Sequence, residues 1–248
     1  DILYIISLLI ATTDKDMQQE IIENMFSAME KLEENGFRPC SHLVLTAYVI
    51  GRYGNSRKQD DIVYKLKESY ILLKEKYNNI TNEDDYLLCA LWSINNIEVE
   101  VVNDFIENVY DHVADYNIKT KNGVQGLSNA MILNGSSGHM YRNMEFLLQL
   151  QKRDIKIANQ FLPLVGVLSN TNPRRTVDLV EGVIEDLCDK EAEYEFYLDK
   201  GFRTIIAVVI VSFCTISDKR RYIDELLAHG VISFINSKNK GIFEEALS

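Results

Sequence analysis

The sequence predicts an all-α fold: an α/α helical-hairpin repeat array of about five to six hairpins, solenoid-like and wound into a right-handed superhelix. Three observations lead there. Only 3 prolines and 12 glycines occur in 248 residues, which favours long helices with short loops over a turn-rich β sandwich. Long amphipathic segments alternate with short, nearly all-apolar ones, as outer and inner helices do. The apolar segments start near Ser41, Asp85, Gln125, Gln160 and Arg203, roughly 35 to 44 residues apart, within the period of helix-hairpin repeats. The expected organisation is a single helical-repeat domain over residues 1–248. The alternative from the same pattern is an irregular helical bundle.

Each element follows from local signals. Residues 1–11 are apolar and read as the second helix of a hairpin. The chain opens on Asp1 and not on Met, so its natural start is expected upstream. Thr13 and Asp16 form a weak capping signal for a helix running to about Asn35, with Ile21, Ile22, Met25, Met29 and Leu32 on its inner face. Gly36 stops it, as a left-handed cap prefers glycine. Ser41 to Gly51 follows as a short apolar helix. Ser56 and Gln59 make a capping box for the next long helix, lined by Ile62, Leu66, Leu73 and Tyr77. Thr81 and Asp84 start an apolar helix carrying Trp92. Asn96 caps a helix from Ile97 to about Tyr116, with Val102, Phe105, Ile106, Val109 and Val113 inward.

In the centre, Gly123 and Gln125 lead into an apolar helix, Gly126 to Leu133. A Gly135 to Gly138 turn precedes a helix over Met140 to Lys152. Ile157 to Leu168 is its apolar partner, with Pro163 tolerated near the first turn. Asn172-Pro173 is a strong helix start, and Val177, Val180, Ile184 and Leu187 form the inner face behind it. Phe202 to Ile216 is a further apolar helix. Ser217 caps a last pair of helices separated at Gly230.

Charge and composition narrow the function. A net charge of −11 repels phosphate backbones and anionic membrane surfaces, so no nucleic-acid partner is expected. The longest apolar run, Ile205 to Ile216, is too short to cross a bilayer, and no membrane insertion is expected. The apolar start lacks the basic flank of a signal peptide. Cys40, Cys89, Cys188 and Cys214 are far apart, without a CxxC pair, and read as reduced core residues of a cytoplasmic protein.

Catalytic signatures are absent from the sequence. No HExxH, HxH or cysteine pair marks a metal site, and no cofactor is expected. The acidic row Glu100, Asp104, Glu107, Asp111 and Asp115 diverges along one helix and reads as a solvated face. Gly135-Ser136-Ser137-Gly138 fits no phosphate-loop pattern, and Ser128 lacks a nucleophile elbow. The candidate binding set is positional instead. Asp85, Gln125, Gln160 and Arg203 open successive apolar helices, and in a solenoid such positions align along one surface. With Asn129 they form a candidate polar ladder, where Arg203 would pair a carboxylate and the amides would hold a peptide backbone. First turns are also polar merely because they reach the surface, which is the competing reading.

Three stretches, NGFRPCSHLVLTAYVI (Asn35 to Ile50), KNGVQGLSNAMIL (Lys121 to Leu133) and DKGFRTIIAVVIV (Asp199 to Val211), are similar to landmarks of a bacterial family, domain of unknown function 4003. The resemblance covers most of the chain and implies an all-helical protein. It brings no catalytic residue. The expected function is therefore a non-enzymatic scaffold that binds a protein or peptide partner. The alternative is an enzyme or small-molecule binder with a pocket between helical layers.

Overall fold

The computed structural model describes residues 2–54, 58–113, 121–133, 137–167, 172–215 and 222–239. Among the described residues the fold is all-α, with twelve α-helices and no strand. The chain divides into two compact units, one built from Asp1–Asn108 with Asp224–Lys240 and one from Val109–Ile223.

In the first unit, α1 (Ile2–Ala11) and α2 (Lys15–Glu34) both pack on α3 (Ser41–Tyr53). Gly36 ends α2 at φ +85°, a conformation glycine adopts without a Cβ penalty. Cys40 caps α3, its Sγ accepting from the Leu43 amide at 3.4 Å. From His42 to Gly51 all but Val44 of α3 is buried, so this helix is the core of the unit. Gly51 makes the crossing possible: a Cβ there would lie 2.7 Å from the Met25 nitrogen. Then α4 (Gln59–Lys76) packs on α2 and on α5 (Tyr86–Ile94), which also lies against α3. Buried Gln59 ties α4 to α2, accepting from the Ser27 hydroxyl at 3.0 Å and donating to the Asn24 carbonyl at 3.1 Å. After α6 (Val99–Val113), the chain returns to this unit in α12 (Ile223–Asn239).

The second unit holds α7 (Lys121–Ile132), α8 (Ser137–Lys152), α9 (Leu162–Gly166), α10 (Pro173–Tyr194) and α11 (Lys200–Thr215). Here α9 crosses α7 at Gly166, where a Cβ would lie 2.7 Å from the Ala130 Cβ. Buried Asn143 on α8 donates to the Gly166 carbonyl at 3.0 Å. Amphipathic α10 lies between α8 and apolar α11. As expected, Asn172 caps α10, accepting from the Arg175 amide at 3.3 Å, with Pro173 in the first turn.

Several local expectations are corrected. Gly123 lies inside α7 and Gly230 inside α12, which runs unbroken. A helical glycine costs only about 1 kcal/mol against alanine, which the burial of Val124, Leu127 and Leu226 offsets. Where a helix was expected from Ile157, a 3-10 turn (Asn159–Phe161) leads into the five residues of α9. Pro163 sits at the start of α9, because it has no amide to give a preceding turn. The capping box before α5 is Asn82 with Asp85, one residue later than expected. No side-chain bond caps α2. Asn96 takes φ 53° and precedes an α6 that starts at Val99. Cys89 is buried, but Cys188 on α10 and Cys214 on α11 are exposed, so they are not core residues. Ser56, Ser217 and the Gly135 end of the expected turn lie outside the described residues.

Candidate functional site

Each residue of the expected ladder has a defined local setting. Asp85 is buried, and its Oδ2 accepts from the Asn82 amide at 3.0 Å, closing the capping box before α5 in the first unit. Gln125 and Asn129 lie four residues apart on α7, both fully buried. Gln160 is half-buried in the 3-10 turn that packs on α7. Arg203 is clamped to Glu191 in a two-pronged bridge, Nε to Oε1 at 2.6 Å and Nη2 to Oε2 at 2.8 Å, and donates to the Leu198 carbonyl at 3.1 Å. That hydrogen bond from Arg203 holds the Glu191 carboxyl below its usual range. Asp85 and Arg203 are thus engaged in local structure.

A different cluster brings polar groups together in the first unit. The last turn of α3 carries Arg52 and Tyr53, with Tyr48 one turn earlier. Facing them is Glu225 on α12, whose side chain is 1% exposed. Arg52 Nη1 donates to Glu225 Oε1 at 2.8 Å and to the Tyr48 hydroxyl at 2.8 Å. Tyr53 donates its hydroxyl to the same Glu225 oxygen at 2.7 Å. The guanidinium carbon sits 5.0 Å from the Tyr53 ring centroid, within cation–π range. Burial pushes the Tyr48 hydroxyl up to about 12 and raises the Tyr53 hydroxyl further, so both stay protonated, Tyr48 accepting from Arg52 and Tyr53 donating to Glu225. It also raises the Glu225 carboxyl, against the lowering effect of Tyr53 and Arg52. A buried carboxylate is tolerated only when paired and hydrogen-bonded, and this one is both.

Arg52 is not used up by these bonds. Both go to Nη1, and among the described residues Nε and Nη2 have no hydrogen-bond partner. The same side chain lines a half-open cavity of about 300 Å³. Its α2 wall is Met17, Glu20, Ile21 and Asn24, and its other wall is the end of α3 with Gly51 and Gly54. A close helix crossing without a side chain at Gly51 leaves one flank of the cavity bare. Glu20 and Met17 are exposed at its rim. The arrangement has a cation fixed from behind, an acid at the edge and aliphatic surface beside both. It suits recognition of a polar group. Among the described residues, no group of three metal-ligating side chains occurs.

In the same unit, the His42 and His229 rings meet across α3 and α12 at a tilt of 53°, with centroids 5.1 Å apart. Burial, reinforced by His42, pushes His229 down to about 3, so it is neutral. Sequence reasoning missed the Arg52–Glu225 cluster. Its only trace was an acid, Glu225, beside the largely apolar stretch Leu226 to Ile235, and an arginine beyond the expected helix end at Gly51.

Its described residues place the protein in the all-α class, with a polar recess at the end of α3. The sequence model of the family described as "Protein of unknown function (DUF4003)" matches residues 1–240, and the chain belongs to that family. No curated protein and no solved structure matches it. Among the described residues, no helix is long and apolar enough to cross a membrane.

Proposed function

We propose that this protein is a non-enzymatic helical scaffold that binds a peptide segment of a partner protein, with the Arg52 cavity as its anchoring seat. One observation carries the reading. Arg52 is held from behind by Glu225 and Tyr48 through a single nitrogen, and its remaining donors belong to a side chain that lines an open recess. Pre-organised donors of this kind bind without the entropy cost of ordering a free arginine. A recess of about 300 Å³ takes one side chain or chain end. The exposed Met17 extends apolar contact along α2 for the rest of a bound segment.

Within each unit, the packing of amphipathic α2, α4 and α10 on apolar α3, α5 and α11 supports the hairpin-repeat reading. The Asp85–Arg203 ladder does not enter the proposal, because its charged members are spent on local bonds. A second reading, binding of a free small molecule, is favoured by the size of the same cavity.

Selection from a displayed random-peptide library, followed by ¹⁵N NMR titration of the winners, tests the proposal. Expected are enriched peptides that shift residues 17–24 and 51–54, with the shifts lost in Glu20→Lys, a change at an exposed position. Enrichment of nothing, or of peptides mapping elsewhere, overturns it. Small-molecule fragments shifting the same residues when no peptide does favour the second reading.

A further inference from the structure

Resting on the peptide-binding reading, we infer that the Arg52 cavity captures a carboxylate that has a basic side chain close beside it in the ligand. A guanidinium has five N–H donors, and Glu225 and Tyr48 engage Nη1 alone. The unspent Nε and Nη2 form the fork that grips a carboxylate through two parallel bonds. This chain uses the same fork in its own fold: Arg203 holds Glu191 through Nε and Nη2.

Charge decides what accompanies the carboxylate. Arg52 and Glu225 cancel, which leaves Glu20 as the uncompensated charge on the cavity wall. A bare anion or a phosphate meets a net negative recess. A ligand with its own cation meets Arg52 with one group and Glu20 with the other, while Met17 and Ile21 receive the aliphatic stem of a lysine or arginine. The size agrees, since about 300 Å³ holds roughly one residue. The carboxylate has two sources, a chain terminus or an Asp or Glu side chain.

Four probe peptides separate these cases: acetyl-Gly-Ala-Gly-Leu-Lys with a free carboxylate, its C-terminal amide, its Lys-to-Ala form, and the amide with Asp in place of Leu. Each is titrated into the ¹⁵N-labelled full chain. The free-carboxylate peptide is expected to shift residues 17–24 and 51–54, and the plain amide to bind about tenfold more weakly or worse. Arg52→Lys keeps a cation for Glu225 but loses the fork, and is expected to abolish the preference for carboxylate over amide. Glu20→Gln, at an exposed position, should abolish the preference for Lys over Ala. Equal binding of the Asp-containing amide assigns the carboxylate to a side chain; weaker binding assigns it to the terminus. Both support the inference. Equal binding of free acid and plain amide, unchanged in Arg52→Lys, overturns it. So does a cavity silent to all four probes but shifted by library-selected peptides, which leaves the peptide-binding reading standing. Silence to both sets fails that reading as well.

Discussion

His229 is a titratable group with almost no access to water, and this ties stability to pH. Its imidazole is pushed from 6.5 to about 3, first by burial and then by His42. Unfolded chains take up this proton below 6.5 while the folded chain refuses it until about 3, so stability falls as pH drops through that window. Glu225 has the opposite sign, because its raised carboxyl contributes stability that is lost as pH rises above the unfolded value of 4.5. Comparing urea unfolding of the native chain and His229→Leu between pH 7 and pH 5 isolates the histidine. The slope with pH should be shallower in the variant; equal slopes would mean that His229 takes up its proton as readily in the fold as in the unfolded chain. At Arg203 the expectation differs from that for a binding residue. Arg203→Ala leaves Glu191 without its two-pronged partner, and the melting temperature should fall by roughly 5 °C or more. An unchanged melting temperature would return Arg203 to the binding surface. Nothing in the sequence near Arg203 distinguishes these roles, because Glu191 lies twelve residues earlier on a helix whose rotation only packing sets.

Glycine is read poorly from sequence at the scale of elements. Gly36, Gly123, Gly166, Gly182 and Gly230 are alike in composition terms, yet only Gly36 ends a helix with a left-handed turn. Gly182 lies within α10, where an added Cβ would meet nothing within 4 Å, whereas a Cβ at Gly166 would collide with Ala130 and the Leu127 carbonyl. Gly182→Ala should therefore stabilise the protein by up to about 1 kcal/mol, and Gly166→Ala should destabilise it by about 1 to 3 kcal/mol. Chemical denaturation of both variants checks the pair, and matching signs would contradict the α7–α9 crossing. The helices themselves were largely legible, because an apolar stripe at helical spacing is a property of consecutive residues. Ile21 and Leu32 on α2, and Ile62, Leu66 and Leu73 on α4, are buried as that spacing predicts. Boundaries were less legible. That α7 includes Gly123 and that α12 runs unbroken through Gly230 depend on tertiary packing, which local pattern does not contain.

For the whole molecule, the acidic balance sets the terms on which any partner is met. A chain with net charge −11 favours ligands that bring their own positive charge, and the Glu20 rim repeats that preference locally. The division into units is a further property of the whole. Helix α12 follows the second unit in the chain but belongs to the first, where Glu225 meets Arg52 across 173 residues of sequence. By itself the sequence determined the all-α class, most helix positions and the family, since periodicity, scarce proline and glycine, and local landmarks are written in consecutive residues. Only the tertiary structure decided which polar residues share a site. Asp85 and Arg203 are consumed within their own neighbourhoods, while Arg52, Tyr53 and Glu225 converge. Whether a charge becomes a cap, a clamp or a binding group depends on which distant segment supplies its counter-charge, and that is fixed by how helices pack.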